Sequence, residues 1–238
     1  MRKTVLVVGA RPNSLGDAIS VAVSTDYHVI TAGLNDELLK YDIGVGPATD
    51  KELLEAVEPD HIIVTAGINK PCPPYPNRVG DWYRDHFEVN VTGPMRLLES
   101  WILHRVNSDQ TGFGHYVAIS SNSAHIARTE SDAYCASKAA LSMALRCRGR
   151  GLARKGYPLA VYGYEPGLLR DTPMTTEVDT RLRKEVLQFH PITMHRMPGV
   201  EPAGIDPRMV ANVVAANLRS GAHAMLNGTM TRLDAGEQ

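Results

Sequence analysis

Val5-Leu6-Val7-Val8-Gly9-Ala10-Arg11-Pro12-Asn13-Ser14-Leu15-Gly16 is the stretch on which the fold turns. An unbroken apolar run enters a turn of small residues, and Leu15–Ser24 then repeats apolar positions at helical spacing. Such a strand-turn-helix lets backbone approach a pyrophosphate, whose charge is met by the amides of the helix N-terminus. By itself the segment fits an ordinary tight strand-to-helix turn equally well, because Ser14 stands where a glycine would complete the three-glycine fingerprint. The rest of the chain repeats the pattern. Val29–Thr31, Ile62–Thr65, Tyr116–Ile119, Leu159–Tyr162 and Ala224–Leu226 read as further strands. All but the last are too continuously apolar for a half-solvated antiparallel sheet. Asp50–Val57, Asp81–Val106, Asp132–Arg154 and Pro207–Leu218 carry helical spacing. Thr49 with Glu52 reads as a capping box, and Pro207 suits a first helical turn. The expectation is α/β: a Rossmann-type doubly wound parallel sheet with helices on both faces, in a single domain over 1–238.

Composition bounds the function. The 238 residues hold 25 Lys+Arg and 26 Asp+Glu, a net charge of −1, so no overall basic surface attracts nucleic acid or an anionic membrane. Cys72, Cys135 and Cys147 form no Cys-x-x-Cys pair, and an odd, scattered set indicates neither a disulfide framework nor a zinc knuckle. No apolar run reaches membrane-spanning length, and the one near the N-terminus is too short for a signal peptide, which gives a cytoplasmic reading. The histidines include no His-Glu-x-x-His or comparable set, so no metal site is expected. Arg146, Arg150 and Arg154 share a helix face near its C-terminus and read as a solvated or salt-bridged surface. Trp82, Phe87, Trp101 and Ile102 read as packing residues.

Two segments break the alternation. Lys70-Pro71-Cys72-Pro73-Pro74-Tyr75-Pro76 is a stiff loop, since proline removes donors and fixes the backbone. The stretch 167–206 has no clear strand and holds His190, Met194, His195 and Met197; excursions of this length are commonly lids or binding loops.

The strongest chemical signal is Tyr134-Cys135-Ala136-Ser137-Lys138 on an expected helix. Residues four apart share a face, so the Lys138 ammonium can favour the ionised Tyr134 phenol, which otherwise titrates near ~10. Ser120-Ser121 ends a parallel strand at its carboxyl end, where open α/β sheets place ligands. Asn90 sits inside a helical stretch despite competing for the backbone there.

In order along nearly the whole chain, Gly9–Gly16, Thr65-Ala66-Gly67, Asn90, Ile119-Ser120-Ser121, Tyr134-x-x-x-Lys138, Pro166-Gly167, Asn227-Gly228 and Asp234-Ala235-Gly236 resemble the short-chain dehydrogenase/reductase family. The resemblance implies hydride transfer between a nicotinamide cofactor and a small-molecule carbonyl/secondary alcohol substrate. Tyr134 would be the general acid/base, with Lys138 lowering its pKa and hydrogen-bonding the nicotinamide ribose. Ser121, favoured over Ser120 by its spacing to the tyrosine, would orient the substrate oxygen, and Asn90 would help hold a relay water. Gly9, Arg11, Ser14, Leu15, Gly16, Ala66, Gly67, Pro166 and Gly167 would line the cofactor, Asp42-Ile43 would flank adenine, and Thr172 would reach the carboxamide or phosphate. The family also implies a homo-oligomer, dimer or tetramer, through the helices at Asp81–Val106 and Asp132–Arg154.

Departures are specific. Thr65 replaces the usual asparagine, though it can still bridge strands; Ser14 and Ala235 replace glycines; and Thr31–Ile43 is short enough to lack most of one helix. The second strand ends Ile30-Thr31-Ala32-Gly33-Leu34, with no acid before Asp36 and Glu37. With Arg11 in the first turn, this favours NADP(H), whereas a shifted strand end would make Asp36 a determinant for NAD(H). Two alternatives stand beside the oxidoreductase: a catalytically idle nucleotide-binding regulator or scaffold, motivated by the altered first turn, and an epimerase or dehydratase using the same tyrosine. The residues do not name the substrate; the 167–206 excursion points only to a partly apolar one.

Overall fold

The computed structural model describes residues 2–34, 36, 39–70, 78–108, 110–128, 131–176, 204–220 and 223–233. Cys72 and most of the proline loop lie outside the described residues. So do Asp234-Ala235-Gly236 and 177–203, with His190, Met194, His195 and Met197.

Six strands form one parallel sheet: β1 (Thr4–Val8), β2 (His28–Ala32), β3 (His61–Val64), β4 (Gly114–Ile119), β5 (Leu159–Pro166) and β6 (Met230–Leu233). Their order is β2-β1-β3-β4-β5-β6, every neighbouring pair parallel. The chain leaves β1 in one direction to reach β2 and returns past it to β3, so the crossovers diverge between β1 and β3. That divergence opens a crevice at the strands' carboxyl ends, as expected for a Rossmann-type fold.

The period of two along each strand explains the unbroken apolar runs. Leu6, Val8, Ile62, Val64, Tyr116 and Val161 face α2 (Pro47–Val57), α4 (Gly93–Asn107) and α5 (Asp132–Arg154). Val5, Val7, Ile63, Val117, Ala160 and Tyr162 face α1 (Leu15–Val23) and α6 (Pro207–Arg219). Both sides of the sheet's central strands are therefore core, so those strands lack the alternation of buried and solvated positions. Trp82, Trp101 and Ile102 are buried as expected.

Three expectations need correction. Ala224–Leu226 is helical, within α7 (His223–Leu226), and the sixth strand begins four residues later. The reason lies in Asn227, whose amide accepts from Val161 N–H at 2.8 Å and donates to Leu159 O at 2.8 Å, pinning the turn against β5 before the strand can start. Asp81–Val106 is not one helix: α3 (Val79–Phe87) and α4 are separated by a π-helical turn over Glu88–Thr92. Thr49 is not a helix cap, because α2 starts at Pro47; its hydroxyl donates to Gly46 O at 2.7 Å within the first turn.

The shortened connection after β2 is real. Among the described residues between Gly33 and Gly46 there is no helix, and a single parallel bridge, Gly33 to Lys40, stands where a further edge strand could pair.

Candidate active site

At the carboxyl edge of the sheet, Tyr134 lies in the first turn of α5 and Lys138 one turn on, its ammonium 5.8 Å from the phenol ring centre. Lys138 is buried and donates to Ile119 O at 2.9 Å, the last carbonyl of β4. Burial without a carboxylate partner pushes its pKa down to about 8. Burial holds the Tyr134 phenol above its ordinary value, and the neighbouring Ser121 hydroxyl opposes the rise. The expected lowering by Lys138 is therefore not what governs Tyr134 here.

The two serines after β4 divide their work. Ser120 donates to Lys138 O at 2.9 Å and accepts from the Ser142 hydroxyl at 2.8 Å, which ties the strand end to α5. Ser121 caps the short 3-10 turn Asn122–Ala124 by accepting from Ser123 N–H at 3.1 Å, and keeps its hydroxyl beside Tyr134.

Asn90 lies in the middle of the π turn, a distortion that frees backbone groups and recurs at functional sites. Its amide accepts from Ile68 N–H at 2.8 Å and donates to Ile68 O at 3.0 Å and Ser137 Oγ at 2.9 Å. A methyl placed on Gly67 would lie 3.2 Å from both Asn90 Oδ1 and Lys138 Nζ, so these two side chains flank the strand exit.

Two residues beyond Ile68, Lys70 is clamped in the same manner, a feature invisible in the sequence pattern. His86 Nε2 accepts from Lys70 N–H at 3.1 Å, and Trp82 Nε1 donates to Lys70 O at 2.9 Å. The other His86 nitrogen faces Trp82 O at 2.8 Å and so carries the proton, which makes the buried ring neutral. Burial pushes its pKa down. As pH falls, the unfolded chain takes up this proton first, so His86 contributes stability that is complete above about pH 6.5 and is lost below it. The urea midpoint should consequently drop between about pH 7.5 and pH 5.5, and drop less in His86→Gln. Equal pH slopes in the two proteins would refute this account.

A buried carboxylate was likewise missed by the sequence reading. Glu165, fully buried beside Pro166-Gly167, meets His125 Nε2 at 2.9 Å and Arg146 at 3.6 Å. His125 ends the turn that begins at Ser121, so this acid anchors the segment carrying the candidate substrate hydroxyl. The available signal was one charged residue in the otherwise apolar and aromatic run Leu159–Pro166. Because the carboxylate is 0% exposed and Arg146 is 29% exposed, removing the cation should hurt more than removing the acid. Arg146→Met should cost about 3 kcal/mol by leaving the buried carboxylate with His125 but no arginine, Glu165→Gln less than about 1 kcal/mol, and the double variant should recover most of the loss in denaturant unfolding. A double variant no more stable than Arg146→Met would refute the pairing.

The first turn fits a dinucleotide. Gly9 has φ of +96°, and a Cβ there would sit 2.5 Å from Ala66 N, so only glycine lets the ends of β1 and β3 approach. Ser14 caps α1, its Oγ accepting from Asp17 N–H at 3.2 Å, which explains why serine replaces a glycine. Asn13 takes the positive φ, 60°, that a glycine would otherwise supply. Leu15 and Gly16 are buried behind this turn, and Arg11 lies within it. Thr65 donates to Val8 O at 3.0 Å, so the strand-bridging function survives the departure from asparagine. Asp42 accepts from Gly44 N–H at 2.9 Å, and Ile43 is buried. Pro166 ends β5, Gly167 N–H donates to Leu233 O at 2.8 Å, and Thr172 is buried against Thr175. Asp36 is turned inward, accepting from Thr31 Oγ1 at 2.6 Å and Leu39 N–H at 3.0 Å.

Residues 50–183 match the family model for short chain dehydrogenase. The chain belongs to the short-chain dehydrogenase family. It is thus placed among oxidoreductases that share this parallel sheet. Similar solved structures include a 3-oxoacyl-[acyl-carrier protein] reductase from Brucella melitensis in complex with NAD, 21% identical with a TM-score of 0.78 over 99% of this chain and 97% of that one. An actinorhodin polyketide ketoreductase variant with NADPH is 20% identical, with a TM-score of 0.80 over 98% and 96%. A short-chain dehydrogenase/reductase from Burkholderia xenovorans is 24% identical, with a TM-score of 0.76 over 99% and 96%. No curated protein sequence matches the chain. Among the described residues, no helix is long and apolar enough to cross a membrane, and no group of three or more His, Cys, Asp or Glu gathers to hold a metal ion.

Proposed function

We propose that this short-chain dehydrogenase is an NADP(H)-linked oxidoreductase interconverting a carbonyl and a secondary alcohol, with Tyr134 as general acid/base. The observation that carries the reading is the Lys138 ammonium 5.8 Å from the Tyr134 ring centre, with the Ser121 hydroxyl beside the phenol and lowering its pKa. A bound nicotinamide supplies or accepts the hydride. Burial keeps the Tyr134 phenol protonated at neutral pH, which suits it to donate its proton to a substrate carbonyl oxygen. Ser121 holds that oxygen, and Lys138 stabilises the phenolate left behind. Asn90 keeps the strand exit in place through both backbone groups of Ile68, and we assign it the family's role of helping to hold a relay water.

Preference for the 2′-phosphate rests on β2 ending in Ala32 with Gly33 after it, while the Asp36 carboxylate is committed within its own turn. Arg11 supplies the positive partner from the first turn. Fluorescence titration should show tighter binding of NADPH than NADH, followed by oxidation of NADPH with a partly apolar ketone. Tighter NADH binding would overturn the cofactor preference, and binding without turnover across a broad carbonyl panel would favour the idle regulator. Leu103 and Val106 on α4 and Met143 on α5 are exposed apolar side chains, which supports assembly of copies through these helices.

A further inference from the structure

We propose that Arg96 is a positioning residue for the adenosine half of the dinucleotide, acting through a buried ionic clamp that replaces the missing helix after β2. This deepens the cofactor reading above and rests on it. A dinucleotide crossing the β1/β3 divergence puts its phosphates at the N-terminus of α1. Tyr134 and Ser121, beyond β3, take the reacting half. The other half falls on the β2 side, where the wall is the short stretch Gly33–Gly46.

Among its described residues that stretch forms no helix and is held locally by turn hydrogen bonds, such as Tyr41 N–H to Gly33 O at 3.1 Å and Val45 N–H to Asp42 O at 3.1 Å. The single bridge from Gly33 to Lys40 is followed directly by Tyr41, Asp42 and Ile43. Support comes from α2 and α4. Arg96 donates through Nε to Asp50 Oδ2 at 2.8 Å, through a terminal nitrogen to Asp50 Oδ1 at 3.2 Å, and through the same nitrogen to Ile43 O at 2.6 Å. Tyr41 donates to Asp50 Oδ1 at 2.6 Å, and Ser100 to Oδ2 at 3.4 Å. Asp50 is 0% exposed and Arg96 16%, so the pair is shielded from competing water. A Cβ on Gly93 would lie 2.4 Å from Ile43 O, so α4 reaches this carbonyl only because its first residue is glycine. The guanidinium fork is what allows one side chain to bind a carboxylate with two nitrogens and a backbone carbonyl besides. Leu34 and Val45, on either side of Asp42-Ile43 in sequence, are exposed apolar side chains that suit the face of a base.

The clamp thus fixes Asp42-Ile43 before ligand arrives, and loosening it transfers an ordering cost to binding. Removing Arg96 alone strands Asp50, so the informative protein is the double variant Asp50→Asn/Arg96→Met, in which no buried charge is left unpaired. It should bind NADPH about tenfold more weakly, while affinity for reduced nicotinamide mononucleotide, which lacks adenosine, stays within about twofold. Arg96→Lys, which keeps the charge on Asp50 but loses the fork, should show the same split with a smaller loss. Hydrogen exchange at Gly44 and Val45 should quicken in both variants with no change in α5. NADPH affinity within about twofold of the parent, or equal weakening of both ligands, would overturn the proposal. A parent protein that binds no dinucleotide would instead overturn the cofactor reading itself.

Discussion

Tyr134→Phe should lose turnover by at least about 100-fold while binding dinucleotide as the parent does. The substitution removes one hydroxyl and keeps the ring that fills the space above Lys138. Lys138 retains its bond to Ile119 O, because that bond does not involve the phenol. Ser121 loses the neighbouring phenol but keeps its bond from Ser123 N–H, so the cost is about 1 kcal/mol, too little to unfold the chain. What disappears is the phenolic proton donor that touches Ser121 at this edge. The loss should fall on kcat, because the hydroxyl acts on the reacting atoms and not on the cofactor's phosphates. Ser121→Ala should reduce turnover in parallel, whereas Ser120→Ala should lower the unfolding midpoint, since Ser120 binds α5 through Lys138 O and Ser142. Retained turnover in Tyr134→Phe would remove the tyrosine from its assigned role, and a loss in Ser120→Ala equal to that in Ser121→Ala would undo the division between the serines.

The parts of the site legible in the sequence are those fixed by local spacing. Tyr134 and Lys138 share a helix face whatever else the chain does, and α5 spans Asp132–Arg154 as its periodicity requires. The first turn was readable for the same reason, and Ser14 proves to be a cap in a place where glycine was expected. Residues whose roles depend on distant partners left weaker marks. Glu165 acquires its meaning from His125 and Arg146, and Asp50 from Tyr41 and Arg96, pairs formed only when separate helices pack on one sheet. Periodicity also could not show the π turn, because Trp82, Leu97 and Trp101 keep an apolar stripe on both sides of it. The three-residue run Ala224–Leu226 is too short for its period to separate helix from strand. There the decision rested with Asn227 and its two bonds to β5.

Lys138→Met should make the protein more stable at neutral pH and nearly inactive. Folding takes the Lys138 ammonium out of water against one carbonyl and the face of the Tyr134 ring, with no carboxylate, and its pKa falls from 10.5 to about 8. A depression of that size corresponds to about 3 kcal/mol of penalty carried by the charged form. Methionine fills similar volume without the charge, and forfeits the bond to Ile119 O, about 1–1.5 kcal/mol. The net gain is about 1–2 kcal/mol, or roughly 3–6 °C in Tm for a chain of this length. The pH dependence carries the sign. Below about pH 8 both folded and unfolded states hold the proton and the full penalty applies; between about 8 and 10.5 the folded state releases it first, so stability rises with pH. The parent should show that rise in denaturant unfolding and the methionine variant should not. Turnover should meanwhile fall at least about 100-fold, because no cation remains to stabilise the Tyr134 phenolate. A methionine variant less stable than the parent at pH 7, or one with the same alkaline slope, would show that the ammonium is not the strained group. If the outcome is as expected, the Lys138 charge is retained against the interest of the fold, which is the physical signature of a side chain kept for chemistry.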